Sequence, residues 1–176
     1  MVTIGSEKER EILSYFFRNP TNEIHLRELS RKTKISFPWT RTIVLKLIKK
    51  ELLSERKLGN LILLKANREN SHFRALKRSH NLFSLYEAGL IEKLKEEYHH
   101  PEAIILFGSY SRGEDTEQSD IDIAVFTGRN KQVDLSFFGK KLEREIKIII
   151  LQRGVVNKEF LSSLANGIVL EGYLNL

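Results

Sequence analysis

Residues 103–125 constrain this chain more than any other stretch. An apolar run, Ala103-Ile104-Ile105-Leu106-Phe107, meets Gly108-Ser109, and ten residues later a second apolar stretch opens with Asp120-Ile121-Asp122. Length and β-branched content predict a strand on each side of the connection. Successive strand side chains point to opposite faces, so Asp120 and Asp122 share one face while Ile121 and Ile123 take the other. Two carboxylates about 7 Å apart along a strand can share divalent cations that also hold phosphate oxygens. Gly108 leaves room for close backbone approach, and Ser109 can offer its hydroxyl to a phosphate. The bland alternative is a solvated acidic strand edge behind a Gly-Ser turn. The apolar strands on both sides argue against it.

Further along, Gln132 to Glu143 reads as a helix, Glu145 to Leu151 as a third strand and Lys158 to Ala165 as a helix. That order suits a small mixed sheet with flanking helices. Glu114, Asp115 and Glu117 fall in the connecting loop and read as surface charge.

Gly-Ser, ten residues, then Asp-x-Asp within apolar strands resembles the nucleotidyltransferases of the DNA polymerase β superfamily. The likeness is greatest to the minimal MNT group, some of which are antitoxins that adenylylate HEPN toxins. Gly108, Ser109, Asp120 and Asp122 match residue by residue; Ser111-Arg112-Gly113 and Ile168-Val169-Leu170-Glu171-Gly172 match more weakly. The resemblance implies Mg²⁺ or Mn²⁺ held by Asp120 and Asp122, an NTP (ATP first) with its phosphates on Gly108, Ser109 and Arg112, and transfer of NMP to a hydroxyl. Arg112 has a plainer reading as a solvated arginine. The acceptor hydroxyl would be on a protein, such as a HEPN-type toxin. The family carries a third carboxylate on the next strand, and the aligned position here is Lys147; Glu145, two residues earlier on the same face, is the candidate substitute. Two other readings stand beside transfer: a transcriptional regulator that only senses nucleotide, and an antitoxin-like interaction module.

The first third of the chain differs in charge. Residues 1–70 carry 15 Lys and Arg against 8 Asp and Glu, whereas residues 101–176 carry 9 against 11, within a total net charge of +6. A basic module joined to an acidic one suits nucleic-acid binding at the N-terminus. Glu7 to Arg18 is predicted helical with Ser6 as N-cap, Ile24 to Lys32 as a second helix, and Phe37 to Lys50 as a third with Pro38 in its first turn. Leu52 to Arg56 and Leu61 to Lys65 read as strands of a hairpin turning at Gly59-Asn60. Three helices and a hairpin resemble a winged helix-turn-helix. In the third helix Phe37, Thr40, Val44, Leu47 and Ile48 fall inward, while Trp39, Thr42, Lys46 and Lys49 fall opposite with Arg41 on the shoulder. That face, with Arg56 and Lys57 on the wing, would contact duplex DNA. Protein contact by the same face, or packing by Trp39, are the competing readings.

Asn70 to Tyr98 is a long amphipathic segment with Gly89 as a weak point or bend. Its apolar surface calls for packing on a module or against a second copy in a homodimer. The expected organisation is therefore α+β. It has a winged helix over 1–68, a linking helix over 69–100, and a polymerase β-like nucleotidyltransferase over 101–176. Zero cysteines exclude disulfides and zinc–thiolate sites, and the charged first thirty residues match no signal peptide. With no run of eighteen apolar residues, the expectation is a cytoplasmic chain without membrane contact. The five histidines form no ligand set.

Overall fold

The structure is a computed structural model describing residues 6–59, 61–152 and 158–173. The chain divides into two compact units, Met1–Lys77 and Arg78–Leu176. Together they form a mixed α+β protein with two small sheets.

The N-terminal unit runs α1 (Glu7–Arg18), β1 (Ile24–His25), α2 (Leu26–Thr33), α3 (Phe37–Lys49), β2 (Leu53–Leu58) and β3 (Leu61–Ala66). Its three strands pair antiparallel in the order β1-β3-β2. Ile12, Leu13, Phe16, Leu29, Val44, Leu47 and Leu64 make its core. Two expectations are corrected here. Ile24 and His25 are not helical: they pair with Leu64 and Leu63, and α2 begins only at Leu26, with the His25 ring accepting from the Arg27 N–H. Phe37, expected inward, is 40% exposed with the Arg27 guanidinium over its ring. Ile43 takes the inward place beside Thr40, Val44 and Leu47. The hairpin turns at Gly59 as expected, with Leu58 opposite Leu61; Asn60 lies outside the described residues.

The amphipathic segment is two helices, α4 (Ser71–Ala88) and α5 (Leu90–Glu97), and the division between units falls inside α4. Gly89 separates them with φ +80°, a left-handed conformation that favours glycine.

The C-terminal unit continues with β4 (Ala103–Phe107), α6 (Gly108–Arg112), β5 (Ile121–Phe126), α7 (Ser136–Leu142), β6 (Ile146–Leu151), α8 (Lys158–Ala165) and β7 (Ile168–Gly172). The sheet order is β6-β5-β4-β7, with β5 and β6 parallel and the other pairs antiparallel. β7 had no strand expectation; it completes the sheet against β4. One face packs Ile104, Leu106, Ile121, Ile123 and Val125 with Leu85, Leu90, Ile91 and Leu94. Ala103, Ile105, Phe107, Ala124, Phe126 and Leu164 cluster on the other. The second face is left open at one end, where the acidic pair lies.

Candidate active site

Alternation along β5 does what the flanking isoleucines require. Ile121 and Ile123 are fully buried, and Asp122 emerges half-buried on the opposite face. Asp120 sits just ahead of the strand, its side chain 28% exposed. The β4–β5 register sets Asp122 opposite Phe107, one residue before the Gly-Ser turn. Gly108 adopts φ +73°, and a Cβ there would overlap Asp122 Oδ2. Only glycine lets the turn lie against the carboxylate. Ser109 follows, half-buried, in the one-turn helix α6. Four residues separated in the sequence thus converge at one end of the sheet.

The electrostatics reflect crowding. Burial pushes the Asp122 carboxyl above the usual carboxylate range and neighbouring Asp120 pushes the same way, while Lys147 pulls it down. In the parallel register Lys147 stands opposite Asp122, and its ammonium reaches Asp120 Oδ2 at 2.5 Å. That hydrogen bond and charge hold the Lys147 ammonium above the usual lysine range. Glu145 is not opposite Asp122. It precedes β6, is exposed, accepts from the Ile121 N–H through its carbonyl, and acts on Lys147 through its charge. Arg112 is exposed and paired with Glu114 at 2.7 Å.

Asp115 overturns the surface-charge expectation. It is fully buried, accepts from Asn81 Nδ2 at 2.7 Å and faces the Arg144 guanidinium at 3.7 Å. Asn81 also donates to the Tyr110 carbonyl at 2.9 Å. Burial, then the charge of Asp115, raises the Tyr110 hydroxyl above its ordinary value. This network ties α4, the Gly-Ser helix, its following loop and the residue preceding Glu145. No local pattern announced it, because a buried loop carboxylate is identified only by distant partners.

Do the acidic residues suit a divalent cation? Two carboxylates on one face are the donor set magnesium commonly takes, with phosphate oxygens completing its shell. No group of three or more His, Asp or Glu gathers as a metal cage among the described residues. The two carboxylates supply part of a divalent cation's oxygen shell and leave the rest to other oxygens. A separate cleft of about 400 Å³ is lined by Tyr98, Leu135, Ile146, Ile148 and Ile150, with Glu145 at its margin. By strand alternation those isoleucines point away from the Lys147 face.

In the N-terminal unit Trp39 is 56% exposed with Lys8 Nζ 4.8 Å from its ring centre, so it is no core residue. Arg41, Thr42, Lys49 and Lys57 are exposed. Arg56 pairs with Glu23. Lys46 is committed to Glu9, at 2.6 Å, alongside Lys50 at 2.8 Å. Burial pushes the Glu9 carboxyl up, but the hydrogen bonds and charges of the two lysines outweigh it and hold it below the usual range.

No helix among the described residues is long and apolar enough to cross a membrane. Residues 88–171 match the family model of the nucleotidyltransferase domain. A protein of Methanocaldococcus jannaschii, named as a candidate protein adenylyltransferase, is 37% identical over 68 residues, covering 39% of this chain and 68% of that protein. The matched span contains β4, the Gly-Ser turn, both aspartates and β6, and the chain belongs to the nucleotidyltransferase-domain family.

Proposed function

We propose that the C-terminal unit transfers a nucleoside monophosphate, AMP first among the choices, from a divalent-cation–NTP complex to a hydroxyl on a protein. The observation that carries this is the apposition of Gly108 to Asp122: a turn pressed on a carboxylate, beside a second carboxylate on the same open face. Asp120 and Asp122 would hold Mg²⁺ or Mn²⁺, which when bound offsets charge building on the triphosphate and its leaving pyrophosphate. Gly108 gives the phosphates access to the backbone, and Ser109 donates its hydroxyl to them. Glu145 is the exposed carboxylate nearest in sequence to the missing third position, and we assign it the acceptor's proton. Protein as acceptor is supported by the name of the Methanocaldococcus relative.

The N-terminal unit, in this reading, is a winged helix that binds duplex DNA through α3 and the β2–β3 hairpin. Support comes from the element order, the exposed Trp39, Arg41, Thr42 and Lys49, and the basic excess of residues 1–70. A HEPN-type toxin as acceptor and a homodimer are further parts of the proposal, as is a cytoplasmic location.

One observation favours a second reading, a nucleotide sensor without turnover: Lys147 occupies the third-carboxylate position and is bonded to Asp120. Labelled-NTP transfer with magnesium and cell extract separates the two. Transfer that Glu145→Gln abolishes while nucleotide binding persists supports catalysis. Binding without transfer, restored by Lys147→Asp, supports the sensor.

A further inference from the structure

Lys147 is more than a missing ligand. Its stem rises from β6 opposite Asp122, on the pleat that carries Ile149 and away from the core. Its ammonium lies 2.5 Å from Asp120 Oδ2, with the lysine side chain 54% exposed and the aspartate 28%. The positive charge is therefore held on a carboxylate that would otherwise have both oxygens to offer a divalent cation. We propose that Lys147 serves as a built-in cation, so that the site takes one divalent ion with its nucleotide and never a pair. The inference rests on the nucleotidyltransferase reading above.

Charge supplies the argument. Two carboxylates and one ammonium leave a single negative charge. One divalent ion turns that into a single positive charge facing the triphosphate, which is attractive. A second would set a dication against an ammonium across one carboxylate, with no further protein oxygen from position 147 to hold it. In sites that do hold two metals, the ions lie about 4 Å apart and are bridged by shared oxygens. Here Asp122 would be left to hold a metal, and Asp120, with Oδ2 bonded to Lys147, would have its other oxygen to offer.

The test counts manganese spins on the full chain bound to α,β-methylene-ATP, whose α–β linkage resists cleavage. The wild type is expected to hold one Mn²⁺ per nucleotide complex, with an uncoupled spectrum. Lys147→Met, which removes the charge without adding an oxygen, should admit a second Mn²⁺ at higher manganese, and Lys147→Asp should hold two, broadened by their mutual coupling. A coupled pair in the wild type would overturn the proposal and leave the transferase reading standing. So would a single ion in either variant, since the charge at position 147 would then not set the count. Failure of the wild type to retain either Mn²⁺ or nucleotide would overturn both together.

Discussion

In the N-terminal unit a buried carboxylate, Glu9, receives two lysines; in the C-terminal unit a more accessible one, Asp120, receives a single lysine. The contacts are alike in chemistry and length, and burial separates their roles. Glu9 is 2% exposed, so removing its partners strands a charge away from water. Asp120 and Lys147 both face solvent, where an ion pair adds little to stability. The first pair fastens α3 to α1, and the second sets the charge of an open face. Asp115 makes the point within a single unit. Five residues before Asp120, it is sealed against Asn81 and Arg144, and so belongs with Glu9.

The sharpest way to break this comparison is to neutralise the accessible pair. Asp120→Asn with Asp122→Asn should abolish nucleotidyl transfer and the thermal stabilisation given by Mg–ATP, which at 100 times the dissociation constant amounts to about 2.7 kcal/mol. Unliganded stability should stay within about 0.5 kcal/mol, because neither carboxylate holds the core together. A double variant that melts early without ligand would place Asp120 among the structural carboxylates.

Buried carboxylates should behave in the opposite way. Asp115→Asn removes the buried carboxylate that faces Arg144 and should cost about 3 kcal/mol in urea unfolding followed by circular dichroism. A loss below about 1 kcal/mol would return Asp115 to the surface class. Glu9→Gln should cost about 2 kcal/mol through two charged hydrogen bonds, read from the fluorescence of Trp39, the single tryptophan. The Glu9 carboxyl titrates lower folded than unfolded. Its stabilisation is thus complete above its ordinary value of 4.5 and drains away as pH falls through the lowered one. The gap between wild type and Glu9→Gln should close on acidification. A gap that widens in acid would reverse the assignment.

What the sequence disclosed follows the range of the interactions involved. Gly108, Ser109, Asp120 and Asp122 were legible because alternation and a tight turn act over neighbouring residues. The hairpin and the helix Lys158–Ala165 were legible for the same reason. Ile24 gives no local strand signal because its strand partner, Leu64, lies forty residues on. β7 went unread because β4, the strand it completes, comes more than sixty residues earlier. Asp115 looked like a solvated loop residue until Asn81 and Arg144 closed over it. Lys147 was recognised as a departure, but its bond to Asp120 depends on the parallel register of β5 and β6, which no single strand encodes.

The smallest expected effect concerns the basic face, and it needs the comparison to be read correctly. Each lysine that displaces counterions from duplex DNA adds about 0.9 to the slope of log affinity against log salt. Lys49 and Lys57 are exposed, so Lys49→Ala with Lys57→Ala in the full chain should flatten that slope by about two units and leave the Trp39 unfolding curve unmoved. Lys46 is different, because its ammonium also neutralises buried Glu9. Lys46→Ala should weaken binding and lower stability together, and its binding loss mixes a lost phosphate contact with a loosened helix. Equal slopes for wild type and the Lys49/Lys57 variant would remove these residues from the DNA face. A stability loss in that variant would show that the exposed lysines, too, are fastenings.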